Sequence, residues 1–490
     1  MKKLVLLVIL QFAINSSAQA PQITWQKCFG SATADVVNSF QPTSDGGYIM
    51  AERIGGYGYY DYYIIKTDID GIVIWEKSFG GDGDDQAYSV GQTADGGYIV
   101  AGSGRSTPVV NGTFAGIWIL KLDNLGNQQW QSYMDVGAIP KSIQQTTDGG
   151  YILAGNRTFS GRGSDFYIVK LDNLGSVVWR KNYGGAAEDY ANCIKQTPDG
   201  GYIVAGQVYS GDGDVTNPHG NPDCWVLKLD SLGNLEWQKT YGGAGTESFN
   251  SIELTTDGGY IAAGFSNLNS GDVSGVYGNP DFWIVKLNSI GTIQWQKAYG
   301  GDNFDKAISV KLTVDGGYLV TGSTNSANSG YISGHHGSGL DVWVVKINSL
   351  GLFQWQKTLG GTSDDSGCNA IQNPDGSYII AGSTYSNDGD VLGNHGSVDV
   401  WLVKLNSNLN TNAFSNKEFK VFPNPVKNIL NIQNENNQTI DKITVTDIMG
   451  KIVFNQNKGD SINVQTLQQG MYIIQISSEG NLYSDKFIKE

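Results

Sequence analysis

The sequence predicts an all-β protein built from a repeated unit, and three observations support this fold class. First, 66 of the 490 residues are glycine, about twice the usual frequency, while aromatic residues make up 11 %. Second, short β-branched and aromatic runs are separated by glycine-containing turns, and no ten-residue helical pattern interrupts them. Third, one tetrapeptide returns at intervals of 50 to 60 residues, which is typical of repeat architectures.

The repeated unit occurs seven times and predicts four strands, a to d. An Asp-Gly turn separates strand a from strand b, which reads Gly-Tyr-Ile-Val-Ala-Gly in several copies. Strand c carries an aromatic residue and strand d a tryptophan, and all twelve tryptophans lie at these two positions. Six units contain Asp-Gly-Gly-Tyr and the seventh contains Asp-Gly-Ser-Tyr; the tetrapeptides begin at Asp45, Asp95, Asp148, Asp199, Asp257, Asp315 and Asp375.

Four antiparallel strands repeated seven times predict a seven-bladed β-propeller with four-stranded blades over residues 21–405. A strand d without a sheet, residues 23–29, precedes the first unit, and the last unit stops after Leu405 with three strands. We therefore expect the N-terminal strand to close the last blade. Over residues 23–405 the repeat, with Asp-Gly-Gly-Tyr-Ile and Asp-x-Trp-x-x-Lys-Leu, resembles those of secreted bacterial propellers. This resemblance implies the fold and no particular activity.

Length varies almost only between strands b and c. The interval from the Asp-Gly turn to the strand c aromatic residue ranges from 18 to 28 residues, whereas the next interval, to the strand d tryptophan, is 12 in each complete unit. Variable loops carry function more often than turns of constant length. We therefore expect a functional face formed by the b–c and d–a loops, enlarged in blades four to seven. Its candidate ligand-binding residues are Asp214, His219, Asp223, Asp272, Tyr277, Asp281, His336, Asp341, Asp390, His395 and Asp399.

The long loops repeat a Gly-Asp-Val…His-Gly…Asp pattern that suggests a Ca²⁺ site, the one cofactor indicated by the sequence. The best candidate ligands are Asp214, His219, Asp390 and His395. The alternative is that each aspartate accepts backbone N–H groups of its own loop. Sister loops favour the alternative, because tyrosine replaces the histidine in one loop and the first aspartate in another.

A lysine follows the strand c aromatic residue by three positions in every unit. One copy in each blade is better explained by an ion pair or hydrogen bond between strands than by a ligand site. The seven lysines are Lys66, Lys121, Lys170, Lys228, Lys286, Lys346 and Lys404.

The N-terminal 20 residues predict a secretory signal peptide, with two lysines, an apolar run and an Ala-Gln-Ala cleavage site. No later stretch is long and apolar enough for a transmembrane segment. The net charge of −15 argues against a nucleic-acid partner or an anionic membrane. The four cysteines show no framework spacing, so we expect small buried residues, with one incidental disulfide as the alternative.

The C-terminal region predicts a linker over 406–416, rich in Asn and Ser, and a small immunoglobulin-like β-sandwich over 417–490. Its motifs resemble the type A C-terminal sorting domain of the Bacteroidetes type IX secretion system. The resemblance implies the secretion machinery as partner, and the cell surface or the medium as destination. The alternative is an ordinary binding module. The motif residues are Pro423, Asn424, Pro425, Asp447, Gly450, Lys451, Gly470 and Tyr472.

The chain contains no recognisable catalytic triad, His-Glu-x-x-His motif or distinctive acid pair. We therefore expect a non-enzymatic binding or adhesion module for a glycan or protein ligand. Two alternatives stay open at this point. One is a glycan hydrolase or lyase that uses carboxylates of the rim, and the other is a structural surface or motility component.

Overall fold

The computed structural model describes residues 20–55, 60–105, 115–220, 222–407, 419–434, 439–447, 452–478 and 481–490. These residues form strands, turns and loops and contain no helix. The chain divides into two compact units, Met1–Asn406 and Ser407–Glu490. Almost all of the predicted signal peptide (1–20) and linker (406–416) lies outside the described residues.

The first unit contains β1 (Ile23–Phe29) and seven antiparallel sheets, which we number along the chain with strands a to d in chain order. Sheets 1 to 3 are β2 (Val36–Pro42), β3 (Tyr48–Ile54), β4 (Asp61–Thr67), β5 (Val73–Phe79); β6 (Gln86–Gln92), β7 (Tyr98–Gly104), β8 (Gly116–Leu122), β9 (Gln128–Met134); and β10 (Ala138–Gln145), β11 (Tyr151–Thr158), β12 (Ser164–Leu171), β13 (Val177–Tyr183).

The remaining sheets of this unit repeat the same order. Sheets 4 to 6 are β14 (Asp189–Gln196), β15 (Tyr202–Val208), β16 (Asp223–Leu229), β17 (Leu235–Tyr241); β18 (Glu247–Leu254), β19 (Tyr260–Ser266), β20 (Asp281–Leu287), β21 (Ile293–Tyr299); and β22 (Asp305–Leu312), β23 (Tyr318–Thr324), β24 (Asp341–Ile347), β25 (Phe353–Leu359). Sheet 7 has β26 (Asp365–Gln372), β27 (Tyr378–Thr384) and β28 (Asp399–Leu405).

The N-terminal strand completes the last sheet, as predicted. Strand β1 pairs antiparallel with β28 and gives sheet 7 the order β1-β28-β27-β26. Sheet 1 also packs on sheet 7, because the Val37 N–H donates to Ser383 Oγ (3.1 Å) and Asn369 Nδ2 donates to the Phe40 carbonyl (3.0 Å). First and last sheets are thus joined by strand pairing and by lateral contact. The repeated four-stranded sheets fit a propeller-like fold.

The a–b turn shows why the tetrapeptide is repeated. In sheet 4, the Thr197 N–H donates to the Gly201 carbonyl (2.9 Å), and Gly200 adopts φ +83°, which favours glycine. The Asp199 carboxylate accepts the Thr197 hydroxyl (2.5 Å) and the Gly201 N–H (2.9 Å). Lys228, on strand c, lies 2.8 Å from the same carboxylate. The turn aspartate therefore ties strands a, b and c together.

The predicted ion pair of the recurring lysine is confirmed in six sheets. The distances from Nζ to the carboxylate are 2.8 to 2.9 Å for Lys66–Asp45, Lys121–Asp95, Lys170–Asp148, Lys228–Asp199, Lys286–Asp257 and Lys346–Asp315. Sheet 7 differs because serine replaces the second glycine of the tetrapeptide. Ser377 Oγ donates to Asp375 (2.5 Å), in the place where lysine binds elsewhere. At Gly201, a Cβ would lie 2.7 Å from Lys228 Nζ, so a side chain there displaces the lysine.

Aromatic residues fill the junctions between sheets, as predicted. The strand d tryptophan of one sheet packs against the tetrapeptide tyrosine of the next sheet at six junctions, with ring centroids 5.1 to 6.3 Å apart. At the junction of sheets 7 and 1, Trp25 packs against Gly71, where a Cβ would lie 2.9 Å from the ring. The core therefore consists of layers between neighbouring sheets.

The second unit contains a three-stranded and a four-stranded antiparallel sheet, with strand orders β29-β30-β33 and β32-β31-β34-β35. Both sheets contribute to one apolar core that includes Leu430, Val445, Ile474 and Phe487. Their strands are β29 (Phe419–Phe422), β30 (Ile429–Asn434), β31 (Ile440–Asp447), β32 (Ile452–Gln456), β33 (Ser461–Asn463), β34 (Gly470–Ser478) and β35 (Asn481–Lys489).

All four cysteines carry free thiols, so the structure shows no incidental disulfide among them. Cys193 and Cys224 are buried, and Cys28 and Cys368 are partly buried. They act as small residues of the sheet interfaces, which was the preferred interpretation.

Candidate functional site

The b–c and d–a loops lie on one face of the first unit and hydrogen bond to each other. The Tyr209 N–H, in a b–c loop, donates to the carbonyl of Glu188, in a d–a loop (3.0 Å). The Asp214 N–H donates to the Gly184 carbonyl (3.0 Å), and the Gly184 N–H donates back to the Asp214 carboxylate (3.1 Å). Each long loop is thereby fixed against the turn that precedes its own sheet.

The same backbone bond recurs in the four long loops. The N–H groups of Asp214, Asp272, Tyr331 and Asp390 donate to the first glycine of the preceding d–a loop, at 2.8 to 3.0 Å. A backbone N–H makes this contact, so a tyrosine can replace the aspartate in sheet 6 without losing it. The backbone contact therefore fixes each long loop whichever residue stands at this position.

The strand c aspartates also bind their own loops. The Asp223 carboxylate accepts the N–H groups of His219 (2.5 Å) and Gly220 (3.0 Å). Asp281 accepts the N–H groups of Tyr277 (2.6 Å) and Gly278 (3.1 Å) in the same way. Tyrosine and histidine are therefore interchangeable here, as the backbone interpretation of these loops requires.

Two histidine rings reinforce this contact in sheets 6 and 7. His336 Nδ1 lies 2.9 Å from Asp341 Oδ2, and His395 Nδ1 lies 2.6 Å from Asp399 Oδ2. Neighbouring loops also meet, because His336 Nε2 is 3.8 Å from Asp390 Oδ2. Within the described residues, no three acidic, histidine or cysteine side chains are grouped so that they could hold a metal ion.

The predicted site residues are spread over four sheets and several small surfaces. His219 and Asp272 line one groove of about 420 Å³ between sheets 4 and 5, together with Lys239 and Thr240. The remaining predicted residues belong to the loop contacts described above. The calcium site at Asp214, His219, Asp390 and His395 stays a prediction.

Sequence reasoning missed a set of paired carboxylates buried where neighbouring sheets meet. At six of the seven junctions, the aspartate that starts strand c of one sheet faces the acid that starts strand a of the next. Both lie beside the first d–a glycine, within 3.1 Å of the position its Cβ would take. The pairs are Asp399–Asp35, Asp61–Asp85, Asp165–Asp189, Asp223–Glu247, Asp281–Asp305 and Asp341–Asp365.

Burial raises the pKa of both members of the Asp281–Asp305 pair. It raises the pKa of Asp305 to about 6, and the nearby Asp281 charge acts in the same direction. Hydrogen bonds from the loops limit the effect; Asp189 accepts the N–H groups of Gly185, Tyr209 and Ser210 (3.0 to 3.1 Å). The alternation of apolar and polar residues that predicts strands gives no information about such pairs, because the two members of a pair lie in different repeats.

A second feature that the sequence did not reveal is an open groove of about 550 Å³ between sheets 3 and 4. The Tyr209 ring is 37 % exposed and packs edge-on against Tyr190, 6.2 Å away. The Tyr190 hydroxyl and the Ser164 N–H donate to Glu188 Oε2 (2.9 and 3.1 Å), and hydrogen bonding from these residues lowers the Glu188 pKa. The groove thus combines an exposed aromatic ring with an ionised, oriented carboxylate.

Arg162 adds a cation to the wall of this groove. Its guanidinium pairs with the buried Asp165 carboxylate and lies 4.8 Å from the Phe159 ring centroid. Gly163 brings the loop close to the next turn, because a Cβ there would lie 2.1 Å from the Ala187 carbonyl. These contacts fix the groove in shape before any ligand arrives.

In the second unit, the Pro-Asn-Pro motif is tied to the C-terminal strand. Asn424 Nδ2 donates to the Lys486 carbonyl (3.0 Å), and the Ile488 N–H donates to Asn424 Oδ1 (2.9 Å). Tyr472 stacks on Phe487 and donates its hydroxyl to the Gln468 carbonyl (2.9 Å). Among the other motif residues, Gly450 and Lys451 lie outside the described residues, as does the Asp447 side chain.

Residues 420–490 match the family model of the secretion system C-terminal sorting domain. The molecule is therefore an all-β repeat protein with a sorting tail. It is a Bacteroidetes-type secreted protein, exported by type IX secretion to the cell surface or the medium, and its tail implies an interaction with that machinery. Within the described residues, no helix is long and apolar enough to cross a membrane.

Solved structures show only distant similarity to the chain. A protein of unknown function from Dyadobacter fermentans is 14 % identical, with a TM-score of 0.41, over 79 % of this chain and 99 % of that one. Polysaccharide lyase Uly1 is 10 % identical, with a TM-score of 0.44, over 75 % and 89 %. Sqt1 from Chaetomium thermophilum is 10 % identical, with a TM-score of 0.40, over 95 % and 100 %. These scores carry no argument about function, and no curated protein matches the chain.

Proposed function

We propose that the protein is an exported seven-bladed β-propeller with an immunoglobulin-like sorting domain, and that it binds a glycan without turning it over. The groove of Tyr209, Glu188 and Arg162 carries this proposal. Sugar rings stack their C–H faces on exposed aromatic rings, and their hydroxyls donate to fixed carboxylates. The Ser164 N–H and the Tyr190 hydroxyl already hold Glu188 Oε2 in place.

The state of the other carboxylates supports binding over catalysis. Hydrolysis of a glycosidic bond generally uses two accessible carboxyl groups in defined protonation states. The strand c aspartates, such as Asp223 and Asp281, are buried and accept N–H groups of their own loops. Glu188 is the acid that the groove presents to a ligand, so the groove offers one acidic group and an aromatic platform.

The test is a glycan array probed with the full chain, followed by titration of the best hit. Tyr209→Ala and Glu188→Gln should each weaken binding about tenfold or more, because one removes the stacking surface and the other the charged acceptor. Tyr385→Ala is the matched control. Tyr385 occupies the same position in sheet 7, is 52 % exposed, and also donates its N–H to a d–a loop residue, Asp364.

Three outcomes would contradict the proposal. A loss in the Tyr385 variant as large as that in the Tyr209 variant would show that binding is not specific to the groove between sheets 3 and 4. No glycan bound at physiological salt would favour a protein ligand or a structural role. Turnover of a polysaccharide that is lost in Glu188→Gln would show an enzyme. Chelator is added in parallel, since loss of binding with Asp214→Ala and with chelator alike would support the calcium proposal.

A further inference from the structure

The junction that closes sheets 1 and 7 carries a third buried carboxylate. Like five other junctions, it has a pair of acids beside a glycine: a Cβ on Gly30 would lie 2.7 Å from Asp35 Oδ2 and 2.8 Å from Asp399 Oδ1. Glu52, on strand b of sheet 1, is 0 % exposed, and neither of its carboxylate oxygens has a hydrogen-bond partner. Buried polar groups without partners are rare and costly, so this glutamate needs an explanation.

Glutamate at this position is an exception within the repeat itself. The other six sheets have glycine there, and a Cβ would lie 1.7 to 2.5 Å from a backbone carbonyl of strand a. In sheets 2 and 4 the space is filled from the preceding sheet, by Tyr62 and Phe166. At the corresponding position of strand c, sheet 7 has the smaller Val400, which packs against sheet 1. The glycines are Gly102, Gly155, Gly206, Gly264, Gly322 and Gly382.

The groups around Glu52 are mostly acidic. Strand register places Glu52 opposite Val37, on the face of sheet 1 that packs against sheet 7. Burial raises the Glu52 pKa well above its ordinary value, and the charges of Asp35, Glu76 and Asp399 act in the same direction. Asp35 Oδ1 and Asp399 Oδ1 are also buried without a hydrogen-bond partner. The junction therefore holds a cluster of desolvated carboxyl oxygens.

The other titratable groups at the junction come from the strands and the loop packed against it. Tyr63, on strand c of sheet 1, faces Glu52; burial raises the Tyr63 pKa, and Glu76 and Glu52 act in the same direction. The His395 ring, in the b–c loop of sheet 7, binds Asp399 Oδ2 rather than Glu52. Arg53 follows Glu52 on the strand and lies over the Tyr60 ring, 4.8 Å from its centroid.

We propose that the junction of the first and last sheets is a proton-dependent clasp, closed when the Glu52 carboxyl is neutral and loosened when it ionises. A neutral carboxyl can be buried among apolar side chains at modest cost. An anion at the same place adds to the charges of Asp35 and Asp399 in a medium that screens them poorly. β1 and β28 are far apart in the chain, so only strand pairing and side-chain packing hold β28 against β1 and sheet 1.

Proton linkage determines the direction in which stability changes with pH. Because the Glu52 pKa is higher in the folded protein than in the unfolded chain, the folded state binds more protons between the two values. The contact is strongest at mildly acidic pH, and stability is lost as the pH rises through the folded pKa.

The experiment is hydrogen exchange of the full chain at pH 5 to 9, corrected for intrinsic exchange and read on peptides from β1, β2 and β28. In the wild type, opening at these strands should increase about tenfold or more across this range. Glu52→Gln, which keeps the shape and removes the charge, should abolish the increase. Peptides from β12 and β14 serve as reference, because strand b of sheet 4 has Gly206 at the position of Glu52.

Glu253→Gln is the control for charge removal at a buried site. Burial favours a higher Glu253 pKa, but Lys311 and Lys195 outweigh it and lower the value to about 2. This variant should weaken the protein at neutral pH and leave the pH response of the junction intact. The proposal is overturned if wild type and Glu52→Gln open equally at every pH, or if Ca²⁺ removes the response by occupying the carboxylates. If Glu52→Gln does not fold, an unchanged β1 and β28 exchange profile of the wild type overturns it.

Discussion

The two ends of each repeated sheet place aspartates in opposite electrostatic settings. At the a–b end, burial favours a higher Asp199 pKa, but hydrogen bonds from Lys228, Thr197 and Gly201 outweigh it and lower the pKa to about 2. At the other end, Asp305 faces Asp281, and burial raises its pKa to about 6. The neighbour that the fold supplies, a lysine or a second acid, decides which outcome holds.

This difference accounts for where the chain tolerates change. A lysine on strand c reaches the a–b turn only if that turn keeps its length and its second glycine. The b–c and d–a loops bind each other through recurring backbone hydrogen bonds, which any residue supplies, and through acceptors such as Asp189 and Ser210. Length and sequence therefore vary at this end of the sheets, between the positions that make these contacts.

The largest effect is expected from removing an acid that organises the loop end. Asp189→Ala deletes the acceptor for Gly185, Tyr209 and Ser210 and should lower the free energy of unfolding by about 3 kcal/mol or more. Tryptophan fluorescence during urea unfolding measures it, since all twelve tryptophans lie in the first unit. Asp212→Ala, which removes one exposed acceptor, should cost about 1 kcal/mol or less. Equal effects would show that the two acids are equivalent.

A second prediction is that the stability of the protein depends on pH through aspartates at both ends of the sheets. The turn aspartates, with folded pKa values of about 2, lose their contribution as the pH falls below about 4. Asp305, with a folded pKa of about 6, makes stability fall as the pH rises from about 4 through 6. Unfolding monitored across pH should therefore show maximal stability at about pH 4, with a loss on either side.

Asp305→Asn is the variant that separates these two contributions. This variant should reduce the loss of stability between about pH 4 and 6 by about 3 kcal/mol. The loss of stability below about pH 4 should stay unchanged. A variant with an unaltered alkaline slope would show that Asp305 does not titrate in this range.

The smallest effect is expected for the ion pair between the strand c lysine and the turn aspartate. Sheet 7, where Ser377 binds the aspartate, is the exception. Gly201→Ser puts a Cβ near Lys228 Nζ and the Leu229 carbonyl and should cost about 1 to 2 kcal/mol as the lysine leaves Asp199. Ser377→Gly should do the reverse in sheet 7 and let Lys404 reach Asp375, gaining about 0.5 kcal/mol. Urea unfolding of both variants measures this, and destabilisation by Ser377→Gly would contradict the argument.

Much of the architecture could be predicted from local pattern. The tetrapeptide, the two aromatic positions and the orphan strand at residues 23–29 led to seven four-stranded sheets and to the pairing of β1 with β28. The recurring lysine was correctly interpreted as structural because it occurs once in every sheet. The sorting domain was recognised from motifs that a family model also matches.

The candidate site was harder to predict, for a physical reason. Conspicuous loop residues such as Asp223 and Asp281 accept backbone N–H groups, and nothing in their spacing separates this role from ligand binding. The groove of Tyr209 and Glu188 joins two loops of ordinary appearance, each from its own segment. A short d–a interval after Trp130 was visible, and it marks the one junction where Gly116 and Ala138 replace the acid pair.

The sequence alone determined the repeat, its strand boundaries and the export of the protein, since turn chemistry, alternation and sorting motifs are local properties. Tertiary structure alone decided which carboxyl groups meet, because each acid pair joins residues from two sheets. The same applies to Glu52, whose burial follows only from the packing of sheet 1 against sheet 7. Electrostatic consequences of this kind depend on distances between chain segments, and periodicity along one segment does not contain them.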